Sequence, residues 1–274
     1  MSEPIILTKR MIEQIFDDTA TSYDRVGPSV FSKSGARLVE QLPLARGARV
    51  LDIATGTGAV LLPAARRVGP KGHVTGIDLS GEILKEAERI VRANGLTNVE
   101  LQKMDAEHLQ FPDNAFDVVT CAFALFLFPD MEAALREMYR VCKPGGYVAL
   151  TNFDKTPPPF SPAMPMLIQQ FMAYQVGISL PPQVAFTPQE MEALLSRFGF
   201  HSVKAHSETN DIVYATVEDG WAVILTLPPR VTIMNMSEET RARFKEEYLA
   251  KLRPLSRQDG LHLSVAVVYA MAQR

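Results

Sequence analysis

Residues 50–58 read Val50-Leu51-Asp52-Ile53-Ala54-Thr55-Gly56-Thr57-Gly58, a short apolar strand that runs into a glycine-rich turn. A helical pattern follows from Ala59 to about Val68. A glycine turn between a parallel strand and a helix lets a ligand approach the backbone closely, and the binding crevice of such sheets lies at the carboxyl ends of the strands. The stretch therefore predicts an α/β sheet with a ligand site at this turn.

The same alternation of strand and helix continues along the chain. Further strands are predicted at 73–78, 99–103, 116–121, 147–153, 201–207 and 261–270. Helices are predicted at 80–94, 131–141, 187–198 and 238–252. Near-continuous apolar strands are typical of burial on both faces, and this order of elements predicts a Rossmann-like, mostly parallel sheet of seven strands covered by helices.

Composition limits the partners that we expect. The chain has 274 residues, a formal net charge of -3 and two cysteines, Cys121 and Cys142, which are not in a metal-ligand spacing. No run of Lys and Arg indicates nucleic acid, and neither a signal peptide nor a bilayer-spanning run is evident. We therefore expect a cytoplasmic protein that acts on a small molecule, with no metal, no nucleic acid and no stable membrane insertion.

Three carboxylates stand at the ends of predicted strands. Asp52 needs a partner if its strand is buried, and a ligand ammonium could supply one directly or through water, whereas a pyrophosphate would be repelled. Asp78 ends the second strand, where a carboxylate accepts hydrogen bonds from both ribose hydroxyls. Asp105 follows the third strand and could accept from an adenine amino group, while the backbone N–H of Ala106 donates to the ring.

These motifs together resemble the class I S-adenosylmethionine (SAM)-dependent methyltransferases between about Arg49 and Leu150. The resemblance includes 116–119 (Phe-Asp-Val-Val) and 140–146 (Arg-Val-Cys-Lys-Pro-Gly-Gly). Residues 16–24 are similar to the N-terminal signature of the ubiquinone/menaquinone C-methyltransferase branch. The resemblance implies the class I methyltransferase fold, with one antiparallel strand in the edge region of the sheet, and SAM as cofactor with S-adenosylhomocysteine (SAH) as product.

The resemblance and the motifs together nominate site residues. Those expected to bind the cofactor are Tyr23, Asp52, Ala54, Thr55, Gly56, Gly58, Asp78, Leu79, Met104, Asp105, Ala106, Cys121, Ala122 and Phe123. Those expected to line the substrate site are Phe126, Phe153, Met164, Phe171 and Trp221. Tyr23 and His206 are the candidate proton acceptors. The branch usually has an Arg-Asn pair where this chain has Phe126 and Leu127, which leaves a quinone substrate open.

The expected organisation has four parts. They are an N-terminal helical cap at 1–45, a SAM-binding α/β core at 46–153, a substrate lid at 154–185 and a C-terminal part at 186–274 that completes the sheet and the pocket. The lid segment is rich in Met and Phe. Apolar side chains next to an active site favour an apolar substrate surface, to which Met adapts easily.

The predicted function is methyl transfer by in-line displacement to an O, N or C atom of a small, partly apolar molecule, such as a secondary metabolite or a quinone-like ring. Two alternatives stay open. A protein of the same fold could bind SAM without methylating, in another reaction or a structural role. An NAD(P)-dependent oxidoreductase would also use the glycine turn and Asp78, but Asp52, Asp105 and Leu61 in place of the third glycine argue against it.

Overall fold

The computed structural model describes residues 7–26, 29–155, 163–175 and 185–274. The helices are α1 (Lys9–Thr19), α2 (Val30–Gln41), α3 (Leu61–Val68), α4 (Gly81–Ala93), α5 (Met131–Val141), α6 (Ala163–Ala173), α7 (Pro188–Arg197), α8 (Val217–Ile224), α9 (Pro229–Met234) and α10 (Glu238–Leu252). The strands are β1 (Arg49–Ile53), β2 (His73–Asp78), β3 (Val99–Lys103), β4 (Phe116–Ala122), β5 (Cys142–Asp154), β6 (Ala185–Phe186), β7 (His201–Tyr214), β8 (Ser256–Arg257) and β9 (Gly260–Gln273).

The sheet runs in the order β3-β2-β1-β4-β5-β9-β7. The first five strands of this path are parallel to one another, and β9 is antiparallel to both β5 and β7. This confirms the Rossmann-like, mostly parallel sheet of seven strands with one antiparallel strand next to the edge. The two-residue strands β6 and β8 pair with β5 and β9, and they are too short to leave a pattern in the sequence.

Local sequence signals set several element boundaries. Ser80 caps α4 by accepting from the N–H of Ile83 at 3.1 Å, and Gly95 ends that segment with φ of +64°. Thr187 and Glu190 form the capping box that starts α7. Strand β7 is longer than the predicted 201–207 because the residues after Ser207 continue to pair with β9 as far as Tyr214. Helices α8 and α9 were not predicted.

Hydrophobic clusters cover both faces of the sheet. Along β1, Val50 belongs to one cluster with α2 and α3, and Leu51 belongs to the other with α5 and α7. Gly35 lets α2 approach the glycine-rich turn at 54–58, which we call the binding turn, because a Cβ at this position would lie 2.4 Å from the backbone oxygen of Ala59. The N-terminal helices are thereby held against the carboxyl edge of the sheet. No helix among the described residues is long and apolar enough to cross a membrane.

Candidate functional site

The binding turn after β1 is held open by backbone of positive φ. The φ angles are +53° at Ala54, +54° at Gly56 and +100° at Gly58. Asp78 Oδ2 accepts from the N–H of Gly56 at 2.9 Å, and its Oδ1 accepts from the N–H of Ser80 at 3.0 Å. Burial raises the pKa of Asp78. Each of its oxygens keeps a second lone pair, which a ligand hydroxyl can use.

Asp52 lies just before this turn and is 2% exposed. Its Oδ2 accepts from Thr55 Oγ1 at 2.6 Å and its Oδ1 from Thr120 Oγ1 at 2.7 Å. Two hydroxyl groups of the chain therefore supply the partner that Asp52 was expected to find in a ligand ammonium. Burial raises the pKa of Asp52 to about 6, although the two hydroxyls act to lower it. Asp52 stabilises the turn and contributes negative charge beneath it.

Asp105, at the end of β3, is joined to the N-terminal cap. Its Oδ2 lies 2.6 Å from Lys9 Nζ, and its Oδ1 accepts from the N–H of Glu107 at 3.0 Å. Lys9 also lies 2.5 Å from Glu107 Oε2. Burial acts to raise the pKa of Asp105, but the bonds from Lys9 and Glu107 outweigh it and leave this pKa lowered. Lys9 was not predicted, because a lysine near the N-terminus has no local signal for this contact.

Further contacts fix α1 over the edge of the sheet. Asp17 Oδ1 accepts from Ser80 Oγ at 2.5 Å and from the N–H of Glu82 at 3.2 Å. Glu13 pairs with Lys103 at 2.5 Å. Helix α1 therefore covers the carboxyl ends of β2 and β3.

A cavity that we call the nucleotide pocket lies between α1 and these strand ends. It contains ten of the fourteen expected cofactor residues: Tyr23, Ala54, Gly56, Asp78, Leu79, Met104, Asp105, Ala106, Ala122 and Phe123. It also contains residues that were not predicted: Lys9, Ile12, Glu13, Phe16, Ile77, Ser80, Ile83, Glu107, Ala124, Leu127, Phe128 and Pro129. The local motifs therefore predicted ten residues of the nucleotide pocket, but not the part of its lining that α1 and residues 124–129 supply.

A second hollow, the loop cleft, continues from the nucleotide pocket around the binding turn. Its lining residues are Tyr23, Asp24, Phe31, Asp52, Ala54, Thr55, Gly56, Thr57, Ala59, Val60, Ala122 and Phe123. Gly58 faces a separate neighbouring cleft. Cys121 is fully buried beneath the site and lines none of these cavities.

A third hollow, the apolar pocket, lies beyond the loop cleft among the cap, α6 and the C-terminal part. Two of the residues predicted to line the substrate site, Phe153 and Met164, line this pocket, and its wall also includes Tyr214, Val223, Ile224, Tyr248, Leu263 and Val265. The ring of Phe126 lies 5.9 Å from that of Phe153 without lining the pocket itself. Most of this wall was not predicted, because its residues are spread over 22–265 and have no common motif.

The structure does not bring Phe171 and Trp221 to the lining of this pocket. Phe171 is fully buried and stacks on Phe244 at 5.1 Å between ring centroids. The Trp221 ring lies 6.3 Å from Phe244 and 6.1 Å from Tyr248. Both side chains are core residues behind the pocket wall.

The two candidate proton acceptors have very different surroundings. The ring of Tyr23 packs edge-on against Phe16 at 5.5 Å and stacks on Phe31 at 5.7 Å, beside the nucleotide pocket and the loop cleft. Burial first, and then the charges of Asp24 and Asp78, raise the pKa of Tyr23 well above its ordinary value. Tyr23 thus keeps its proton at neutral pH, which favours hydrogen-bond donation over proton acceptance.

His206 lies away from all three cavities. Its side chain is half exposed on β7, stacks on Tyr269 and lies 3.2 Å from Glu208. Within a strand, alternate side chains point to opposite faces, and the register of β7 with β9 places His206 beside α2 rather than in the site. The structure gives no support to a catalytic role for His206.

Comparisons with known proteins show which family the chain is similar to. The model of the ubiE/COQ5 methyltransferase family matches residues 6–218. The chain is 36% identical over 174 residues to aklanonic acid methyltransferase DauC of Streptomyces sp. (strain C5), a match that covers 61% of this chain and 79% of that protein. It is 37% identical over 167 residues to demethylmenaquinone methyltransferase of Listeria welshimeri serovar 6b, covering 60% of this chain and 68% of that protein.

A solved structure shares the whole fold. The [4+2]-cyclase SpnF superposes with a TM-score of 0.61 and covers 99% of both chains, at 18% sequence identity. At that identity the likeness concerns the fold alone. Function has to be argued from the site.

Proposed function

Because the chain belongs to the ubiE/COQ5 methyltransferase family, we propose that its neighbouring cavities bind the two substrates of one reaction. The protein is a SAM-dependent methyltransferase that acts on a small, partly apolar molecule. In our proposal the nucleotide pocket and the loop cleft hold SAM, and the apolar pocket holds the methyl acceptor.

The charge of the site supports this placement of SAM. Carboxylates line the nucleotide pocket and the loop cleft: Glu13, Asp24, Asp52, Asp78, Asp105 and Glu107. The cation found among the described lining residues is Lys9, which is already paired with Asp105 and Glu107. Such a site favours a ligand with positive charge and disfavours the pyrophosphate of a dinucleotide. This charge balance is the observation that carries the proposal.

Each part of SAM has a chemically suitable group in the chain. Asp78 would accept from the ribose hydroxyls, and Asp105 would accept from the adenine amino group beside the N–H of Ala106. The negative charge of Asp52, which lines the loop cleft, would favour the ammonium and sulfonium charges. When bound there, SAM supplies a methyl group that its positive sulfur has already activated.

The apolar pocket favours an acceptor that is neutral before reaction. Lys, Arg and His do not occur among its described lining residues, and the undescribed stretches 156–162 and 176–184 contain none of them in sequence. A carboxylate acceptor would be desolvated there beside Asp24, without a cationic side chain among the described lining residues, which is costly. A neutral ring that carries a hydroxyl group, of the quinone-like kind named in one relative, fits better.

The contribution of the protein is then mainly to position the reactants and to exclude water. Tyr23, Phe31 and Phe123 pack around the point where the cavities meet; the Phe31 and Phe123 rings lie 5.1 Å apart. Holding two reactants in line can lower a barrier by roughly 7–11 kcal/mol in the best cases. We assign α6, the described part of the expected lid, as one wall of the acceptor site, because Met164 on α6 lines the pocket. The rest of that segment, 156–162 and 176–184, lies outside the described residues.

The test compares matched acceptors and matched variants. Purified enzyme is incubated with SAM and either a hydroxynaphthoquinol or the corresponding naphthoic acid, and SAH and methylated product are quantified by mass spectrometry. We expect equimolar SAH and product, with kcat/KM at least about ten-fold higher for the hydroxyl compound. Met164→Ala should raise the acceptor KM, whereas Met172→Ala, on the same helix but 68% exposed, should not. Preference for the acid, or equal effects of both variants, would contradict this assignment.

A further inference from the structure

We propose that Asp24 is a catalytic residue whose carboxylate takes the proton from the acceptor during methyl transfer. The inference rests on the proposed function, since it requires an acceptor in the apolar pocket. Tyr23 keeps its own proton and His206 lies outside the site, so Asp24 supplies the proton acceptor that neither of them provides.

Asp24 lies between the loop cleft, which is proposed to hold the methyl donor, and the apolar pocket, which is proposed to hold the acceptor. Asp24 and Phe31 are the residues that line both the loop cleft and the apolar pocket among those described. Asp24 is also the carboxylate in the described lining of the apolar pocket. A side chain there can contact an acceptor and face the methyl donor at the same time.

The backbone conformation fixes this placement. Asp24 has φ of +59°, in the left-handed region that non-glycine residues seldom adopt. The side chain is anchored by one oxygen only: Oδ2 accepts from Ser32 Oγ at 2.6 Å. Helix α2, which carries Ser32, thereby holds the carboxylate at the junction.

The other oxygen is left for a ligand. Asp24 Oδ1 is buried and has no hydrogen-bond partner among the described residues. Leaving a buried polar group unpaired costs roughly 1–3 kcal/mol, and more when it is charged, so most such groups in folded proteins have a partner. A hydroxyl group of the acceptor would supply the missing donor and would place its proton on the oxygen that receives it.

The basicity of Asp24 suits this role. Burial raises its pKa to about 6, with the bond from Ser32 acting in the opposite direction. The group is therefore ionised at neutral pH and still basic enough to accept a proton. The titratable groups that line cavities with it are Tyr23, Tyr214 and Tyr248, with Asp78 and Asp219 beyond the first two. Arg66 of α3 lines a neighbouring cleft with Asp24, and it donates to Asn94 at 2.6 Å. Arg25, the next residue, pairs instead with Glu86 of α4.

The proton and electron balance of the step is complete. The acceptor proton passes to Asp24 Oδ1, and the electron pair that it leaves on the acceptor forms the bond to the methyl carbon. The bond from that carbon to sulfur breaks with its pair remaining on sulfur. Asp24 returns the proton to water after the products leave, so no oxidant or further reactant is needed.

The decisive variant is Asp24→Asn, because Asn tolerates a positive φ and can keep the bond to Ser32. We expect kcat to fall at least about 100-fold, while the Kd for SAH, measured by calorimetry, stays within about three-fold. The matched control is Asp18→Asn, a half-exposed carboxylate on α1 whose loss should leave both values unchanged. If Asp24 instead bound the ammonium group of SAM, the Kd for SAH would rise at least ten-fold and kcat at saturating SAM would stay near wild type, which would overturn the proposal.

A second variant tests the basicity itself. Ser32→Ala removes the bond that lowers the pKa of Asp24, so the acid limb of the kcat/KM profile should move to higher pH. Carbon-13 NMR of labelled Asp side chains should show a resonance, absent in Asp24→Asn, that titrates near pH 6 and moves upward in Ser32→Ala. Titration near the ordinary value, or an unmoved acid limb, would overturn the proposal. If the wild-type enzyme methylates no acceptor, the proposed function fails. If the wild-type enzyme is active and Asp24→Asn keeps its kcat, this inference alone fails.

Discussion

Asp78→Asn is a substitution whose effects on cofactor affinity and on stability can both be worked out from the hydrogen bonds. The two carboxylate oxygens accept from the N–H groups of Gly56 and Ser80, at 2.9 and 3.0 Å. An Asn side chain has one acceptor oxygen, so its NH₂ group must face one of these N–H donors. The change therefore removes the charge and leaves one backbone donor without a partner.

The magnitude follows from these contacts. A hydrogen bond to a charged group contributes about 1.5–3 kcal/mol, so losing the ribose contact should weaken SAH binding roughly 10- to 150-fold. The unpaired N–H should cost about 1–3 kcal/mol of folding stability. Because burial raises the pKa of Asp78, removing its charge relieves part of the desolvation cost. The loss of stability should therefore be at the lower end of that range.

Calorimetric titration with SAH and thermal unfolding of the apo protein measure the two effects. Asp117→Asn is the matched control: Asp117 accepts from the N–H of Arg49 at 2.8 Å and pairs with Lys143, at the opposite end of the strands. It should lower stability by a similar amount and leave the Kd for SAH unchanged. An unchanged Kd in Asp78→Asn, or an equal rise in both variants, would refute the assignment of Asp78 as the ribose acceptor.

Two further predictions concern stability. Burial raises the pKa of Asp52 to about 6 in the folded state, above its unfolded value of about 3.9. This group therefore binds more protons in the folded protein between these pH values, and its contribution to the free energy of unfolding falls as the pH rises from 4 to 6. Asp52→Asn removes that contribution, so the unfolding free energy of wild type minus that of the variant, from urea melts at pH 4, 5, 6 and 7, should fall with rising pH; a constant difference would be evidence against it. Phe171→Ala should destabilise by about 3–5 kcal/mol, because the side chain is fully buried, without changing the acceptor KM, whereas Phe153→Ala should raise that KM. The opposite pattern in steady-state kinetics would move Phe171 back into the acceptor site.

The fold could be predicted because its signals are local. Strands β1, β2 and β4 are short, mostly apolar runs closed by turns, and β2 and β3 have the predicted bounds. Parallel strands bring their carboxyl ends to one edge, so Asp78 and Asp105 could be assigned to one pocket before their contacts were known.

The contacts of α1 could not be predicted in the same way. Lys9 reaches Asp105 across 96 positions of the chain, and Asp17 reaches Ser80 across 63. In the sequence these side chains belong to the polar face of an amphipathic helix, which is normally solvated. Only the packing of α1 on the sheet shows which polar residues bind the strand ends.

Aromatic residues of the C-terminal half were the hardest to assign. Hydrophobicity predicts that Phe171, Trp221 and Phe153 are removed from water, but it does not distinguish a filled core from the wall of a cavity. The distinction depends on neighbours such as Phe244, which packs against the first two. In the same way, Asp24 lies within the N-terminal signature at 16–24, but only the folded structure shows that it lies between two cavities.

We propose that SAM and a neutral acceptor occupy adjoining cavities that meet at Asp24 and Phe31. A crystal structure of the protein with SAH and a hydroxynaphthoquinone would test this placement. We expect adenosine against Asp78 and Asp105, and the quinone ring against Phe153 and Met164 with its hydroxyl at Asp24 Oδ1. SAH bound outside the nucleotide pocket, or a quinone bound away from the apolar pocket, would contradict it.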